Sequence, residues 1–135
     1  MMDANPLDEA KDAVLRFARA WTEWEILMAR DKESIHDPAM KEAHARLIQD
    51  HCTPKKRAYV DGQLTYCRPP TYGSVVEQNL IHMELGSPTK TFIDFNTPFQ
   101  HYRFVVVKKG GIWKVDSIKW KVIPTDDWKN GLIGM

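Results

Sequence analysis

The chain has 135 residues, of which 43% are hydrophobic, 10% aromatic and 27% charged. This composition is typical of a globular protein with a hydrophobic core and excludes an intrinsically disordered chain. The formal net charge is +1, so the composition supports neither nucleic-acid binding nor binding to an anionic membrane surface. We expect a single domain over residues 1–135.

The start of the chain, MMDANPLDEAKD, is acidic and lacks the apolar segment of a signal peptide. No apolar run approaches the roughly 18 residues of a membrane span. Cys52 and Cys67 form no CxxC pair, and we expect both to be reduced thiols. These features predict a cytoplasmic protein that does not bind a membrane.

Residues 7 to about 31 are predicted to form one long helix. Its apolar residues recur at spacings of four and three, the period of a helix with one buried face: Ala10, Val14, Phe17, Trp21, Trp24 and Met28. Aromatic residues on such a stripe indicate core packing. Glu25 lies at the edge of the stripe, and we interpret it as a rim carboxylate bonded to a sheet residue.

A second helix is predicted from Asp37-Pro38 to about Cys52, since Asp is a good N-cap and Pro is favoured in the first turn. His44 and His51 lie on its apolar face, two turns apart. That spacing is too long for the adjacent-turn pairs of zinc-binding helices, so we expect no metal site there.

Residues 53–74 are predicted to be irregular, with a short strand possible over Gln63–Cys67, because prolines and a glycine interrupt the segment. The segment combines basic and aromatic residues: Lys55, Lys56, Arg57 and Arg68 with Tyr59, Tyr66 and Tyr72. Such a mixture suits a nucleic-acid strand or a protein interface. The absence of a basic excess elsewhere favours the protein interface, and a loop that closes the mouth of the fold is equally consistent.

Two strands are predicted over residues 75–85 and 89–96, followed by a long hairpin from Gln100 to Ile123. Gly110-Gly111 supplies the positive φ angles of a two-residue turn, which pairs Val106 with Val115. A single β-bulge at Asp116-Ser117 then pairs Phe104 with Ile118 and Tyr102 with Trp120. The tail after the hairpin has no strong pattern, although Trp128 can pack back onto the body.

This register gives the hairpin one apolar face and one basic face. The basic residues are His101, Arg103, Lys114, Lys119 and Lys121. Arg103 falls beside Lys119, and like charges side by side destabilise a sheet unless a carboxylate or a partner relieves them. We take this crowding as a hint of an acidic partner surface.

Two N-terminal helices followed by an antiparallel meander predict an α+β domain. The segments FARAWTEWE, HCTPKKRAY, CRPPTY and VVEQNLI, together with the hairpin, resemble the NTF2-fold immunity proteins of bacterial polymorphic toxin systems, within the NTF2-like superfamily. The resemblance covers most of residues 10 to 121. Its immunity-specific features are the Trp-Glu pair, the Lys-Lys-Arg segment and the turn Pro69-Pro70-Thr71-Tyr72. It implies an NTF2-like cone, with the N-terminal helices packed in a bent antiparallel sheet.

The same resemblance implies a protein that binds one cognate toxin domain and blocks it by occlusion, without catalysis or a cofactor. Two surfaces compete as the partner-binding site. One is the basic sheet face, with Arg103, Lys114, Lys119 and Lys121, and the other is the segment from Lys55 to Tyr72, with Arg57, Tyr66 and Tyr72.

An NTF2-like enzyme of the isomerase or dehydratase type is the first alternative. It requires an acid–base group beside a tyrosine in a dry pocket. The candidates are Glu77, Asp94, His82, Tyr102 and His101. Strand alternation turns Asp94, His82 and His101 outward, which leaves Glu77 and Tyr102 facing inward without a partner base. We therefore expect no catalytic residues, and an interior lined by Trp21, Glu25, Glu77, Tyr102 and Trp120.

A ligand-binding accessory domain or a homodimer is the second alternative. Fold-level analogy suggests sheets that pair face to face. Four aliphatic residues of the outer face are available for such pairing: Val105, Val107, Ile112 and Ile123.

Overall fold

The structure is a computed structural model that describes residues 5–30, 38–54, 72–97, 100–122 and 129–130. The helices are α1 (Pro6–Arg30) and α2 (Pro38–His51), and the strands are β1 (Leu80–Ser87), β2 (Lys90–Asn96), β3 (Gln100–Lys109), β4 (Ile112–Val122) and β5 (Lys129–Asn130). The strands form one antiparallel sheet in the order β1-β2-β3-β4-β5. This confirms the predicted α+β architecture and adds β5, which the sequence pattern did not indicate.

Helix α1 begins within one residue of its predicted start. The Asn5 side chain accepts a hydrogen bond from the Leu7 amide at 2.9 Å, as an N-cap does, and Pro6 occupies the first helical position. Asp8 and Glu9 in the first turn suit the positive end of the helix dipole. Within the described ranges, neither this helix nor α2 combines the length and apolar character that crossing a membrane requires.

The hairpin formed by β3 and β4 has the predicted turn and register. Gly110 and Gly111 have φ angles of 59° and 80°, which side-chain-bearing residues rarely adopt. Val106 pairs with Val115 and Val105 pairs with Ser117, so Asp116 is the one extra residue of a β-bulge. Beyond it Phe104 pairs with Ile118 and Tyr102 with Trp120, as predicted.

The bulge also attaches the end of α2 to the sheet. Thr53 donates its hydroxyl to Asp116 Oδ1 at 2.7 Å, and its amide donates to the Val115 carbonyl at 2.9 Å. Cys52 forms an isolated parallel bridge with Val115. The extra residue therefore shifts the side-chain alternation and turns Asp116 toward the end of α2.

The core lies between α1 and the inner face of the sheet. The predicted helical stripe is fully buried from Ala10 to Trp24, and the Met28 side chain lies outside the described part. Phe17 meets Phe104 of β3 edge to face, with ring centroids 6.2 Å apart. The remaining buried sheet residues that join this cluster are Ile93, Phe95, Tyr102, Val106, Trp113, Val115 and Ile118.

Candidate functional site

The interior predicted to hold a pocket is occupied by aromatic rings. Tyr72, which follows the undescribed segment 55–71, is 2% exposed. Its ring centroid lies 5.5 Å from Phe17, 5.7 Å from Trp21 and 5.6 Å from Tyr102. At these distances the rings are in contact, so Tyr72 fills the space between α1 and β3.

This position corrects the prediction that Tyr72 presents its ring to a partner. Tyr72 instead packs on the helix and the sheet at once. That the segment closes the mouth of the fold stays a prediction, because residues 55–71 lie outside the described part. Arg57 and Tyr66, the other two predicted contacts of that segment, lie outside the described residues, as does the predicted strand Gln63–Cys67.

The five residues predicted to line the interior lie in different places. Trp21 and Tyr102 are buried in the core, and Trp120 is partly buried against it. Glu25 is 1% exposed, so it lies within the core and not at its rim as predicted.

Glu77 does not face the interior, so that prediction is wrong. Its side chain is 68% exposed and accepts a hydrogen bond from Lys11 of α1 at 2.7 Å. The hydrogen bond lowers the pKa of Glu77 and raises that of Lys11. The reason for the error is that β1 begins at Leu80, whereas Glu77 belongs to a 3₁₀ turn in which strand alternation does not apply.

His44 of α2 is a core residue. Its ring centroid lies 4.8 Å from Trp24 and 5.2 Å from Trp21, and Trp24 donates its indole N–H to the Met40 carbonyl at 3.2 Å. Burial lowers the pKa of His44, because the imidazolium form loses its hydration there. These contacts fix α2 against α1.

The outer face of the sheet carries a cluster of charged residues centred on Asp94. Arg103 donates from Nε to Oδ1 at 2.9 Å and from a terminal nitrogen to Oδ2 at 3.0 Å, the bidentate geometry of a strong pair. His101 Nε2 lies 3.2 Å from Oδ2. Asp94 is only 2% exposed, and its hydrogen bond raises the pKa of Arg103.

The outward orientation predicted for Asp94, His82 and His101 is confirmed by the register. His82 pairs with Asp94, Asp94 with Arg103, and Arg103 with Lys119 along one row. Asp94 is thus the carboxylate that relieves the crowding of Arg103 and Lys119. The crowding consequently no longer argues for an acidic partner.

Lys119 and Lys121 form what we call the basic strip. The register places them beside Arg103 and His101 respectively, on the outer face. Lys114, predicted to belong to the same surface, pairs with Val107 at the other end of the hairpin and donates its ammonium to the Gln49 carbonyl at 2.9 Å. The predicted four-residue patch therefore separates into two regions.

A cleft that the sequence did not suggest lies between α1 and the segment that follows Tyr72. Its volume is about 330 Å³. The lining is apolar at the base and charged at the rim, with Leu15, Ala18, Arg19, Thr22, Glu23, Tyr72, Gly73, Val75, Val76 and Glu77. No spacing in the sequence predicts it, because its two walls lie more than 45 residues apart in the chain.

Among the described side chains, no three His, Cys, Asp or Glu residues are grouped closely enough to hold a metal ion. The one acid–base pair described above, Asp94 with His101, lies on the outer face with both carboxylate oxygens engaged by Arg103. The chemistry that this arrangement offers is charge-based recognition.

Comparison with known proteins gives one result. The family model described as NTF2 fold immunity protein matches residues 9–131. No curated protein and no solved structure gives a significant match. The match includes α2, all five strands and all but the first three residues of α1.

Proposed function

The chain belongs to the NTF2 fold immunity protein family, and we propose that it neutralises one cognate toxin domain of a bacterial polymorphic toxin by binding and occluding it in the cytoplasm. The observation that carries the proposal is the family match over residues 9–131. The family supports an immunity role, a toxin partner and a non-enzymatic mode of action. Binding to one particular toxin, and its inhibition by occlusion, are what we propose beyond the family match.

The packing of the interior supports a binding protein over an NTF2-like enzyme. Such an enzyme needs space for a substrate beside its acid–base group. Here Tyr72 and Tyr102 occupy that space with rings in contact. We propose that the protein catalyses no reaction, and that it needs no cofactor.

The basic strip is the surface that we propose for the toxin. Lys119 and Lys121 are partly exposed on β4, and Lys119 lies beside Arg103, whose ion pair with Asp94 joins β3 to β2. Two neighbouring cations favour an acidic partner through complementarity and faster association. The apolar cleft beside α1 and the predicted contacts Arg57 and Tyr66 are the competing surfaces.

The proposal is tested by expressing the toxin domain encoded beside this gene in a host, with and without this chain. We expect growth to stop with the toxin alone and to resume when the chain is present. We also expect the two purified proteins to form a stable complex. Loss of growth in both cultures, with no complex between the purified proteins, would overturn the proposal.

A further inference from the structure

Strand β1 leaves one side of the described sheet open. Among the described strands it pairs only with β2, and it is the first strand in the sheet order. Two of its large apolar side chains are exposed, Ile81 by 52% and Leu85 by 48%. An eight-residue edge strand with exposed apolar side chains is a template for pairing with another strand.

The centre of β1 is regular and is limited on both sides by register shifts. One shift lies between Leu80 and His82 and the other between Leu85 and Ser87. Residues 82–85 therefore form the regular stretch. Within it His82 and Glu84 project from the outer face, with their side chains 55% and 60% exposed and 3.9 Å apart.

This stretch is complementary to itself. When two copies of β1 lie antiparallel with a two-fold axis at Met83, His82 of each copy faces Glu84 of the other. An isologous dimer needs a surface that matches itself under a two-fold rotation, and an imidazole directly across from a carboxylate can donate a hydrogen bond that stabilises the strand pairing.

We propose that two copies of this chain associate through their β1 edges, which joins their sheets into one continuous antiparallel sheet. The inference concerns assembly and is independent of the proposed immunity function. The arrangement identifies a second copy as the occupant, because residues 82–84 carry their own complement about Met83. Growth stops at two copies, since the opposite described edge is the two-residue strand β5.

The sheet face is a weaker dimer surface than the sequence suggested. Val105, expected to contribute to face-to-face pairing, is only 5% exposed. Ile112 lies at the tip of the hairpin, opposite Lys109, and Ile123 lies outside the described residues. The apolar residues that remain exposed in the sheet are concentrated on the β1 edge.

The experiment measures the mass of the purified chain by sedimentation equilibrium across a range of concentrations. We expect the wild type to dimerise. Glu84→Lys places Lys opposite His82, and His82→Glu places Glu opposite Glu84. Because a two-fold dimer contains each of these contacts twice, each variant should weaken dimerisation by about tenfold or more. Circular dichroism checks that the variants fold. We expect them to fold because both substituted side chains are exposed.

Mixing the two variants gives the deciding result. In the mixed pair His82 of the first faces Glu84 of the second, and Lys at position 84 of the first faces Glu at position 82 of the second. We therefore expect a heterodimer from two weakly associating proteins. A monomeric wild type, variants that dimerise as well as the wild type, or a mixture that stays monomeric would each overturn the proposal. The proposal would also be overturned if only the double variant Lys119→Glu, Lys121→Glu abolished the dimer, because the contact would then lie on the basic strip.

Discussion

The two faces of the sheet are built from the same strands but are held by different forces. On the inner face, Phe104 and Tyr102 pack on α1 residues and on Tyr72 through ring contacts. On the outer face, Asp94 and Arg103 are held by a bidentate ion pair. The first depends on shape and burial, and the second on charge and geometry.

This difference separates stability from recognition. Among the described residues, the rings of the interior are in contact with one another, so these side chains serve the fold. The outer face orders its charges around a buried carboxylate and presents lysines at its side. We infer that changes to the inner face alter folding, whereas changes to the basic strip alter partner binding.

The largest effect is expected for Phe104→Ala. Phe104 is fully buried and its ring lies within 6.2 Å of the rings of Phe17, Tyr72 and Phe95. Its truncation should lower the free energy of unfolding by about 3–5 kcal/mol. Urea denaturation measures this loss. If Phe104→Ala lost less unfolding free energy than an outer-face variant, the inner face would not be the main source of stability.

A smaller loss is expected when the ion pair of the outer face is broken. Asp94→Asn keeps the shape of the side chain but leaves Arg103 without its carboxylate and beside Lys119. We expect a loss of about 1–3 kcal/mol in the free energy of unfolding. A double-mutant cycle with Arg103→Gln isolates the pair, and additive losses in that cycle would show that the two side chains are not coupled.

The packing of α2 on α1 should also produce a dependence of stability on pH. Burial lowers the pKa of His44 in the folded protein below its ordinary value of about 6.5, so the unfolded chain binds the proton more readily. The contribution of neutral His44 to the free energy of unfolding is therefore complete above the unfolded pKa of about 6.5. It is lost as the pH falls from there toward the lower pKa of the folded state.

Replacement of this histidine tests the sign. His44→Gln should reduce the slope of unfolding free energy against pH below about 6.5, the ordinary pKa of an imidazole. Burial also lowers the pKa of His51, so His51→Gln is the matched comparison, with an expected change of the same direction. An unchanged slope in His44→Gln would show that the imidazole does not titrate as its surroundings indicate.

The smallest effect is expected for Glu77→Gln. The carboxylate is exposed and pairs only across the surface with Lys11, a kind of contact that contributes little to stability. Both the unfolding transition and the protection against toxin should remain close to those of the wild type. A large loss of protection would move the toxin-binding surface to the cleft that Glu77 helps to line.

The hairpin register was predictable because it depends on local information. Gly110-Gly111 fixes the turn, and the change of apolar phase after Val115 requires one extra residue. The helices were predictable for the same reason, since the stripe of α1 and the Pro38 start of α2 are local patterns. The Asn5-Pro6 cap was an equally clear signal that the prediction did not use.

The errors concern contacts between residues distant in the chain. Tyr72 follows an irregular segment, and only the approach of α1 and β3 shows that its ring completes the core. Glu25 was placed at the rim because the helical stripe alone does not show how deeply its edge is buried. The pairing of Asp94 with Arg103 needed the register of β2 against β3, which no turn in the sequence fixed.

The most direct test of the separation between the two faces measures how tightly the double variant Lys119→Glu, Lys121→Glu binds the toxin domain. The measured quantity is the dissociation constant of that complex. The matched control is Lys41→Glu with Arg46→Glu, which makes the same change in net charge on an exposed part of α2. We predict binding at least about tenfold weaker for the strip variant and near wild type for the control, because charges across an interface act over short range. Equal affinities for wild type and strip variant at low salt would contradict the account.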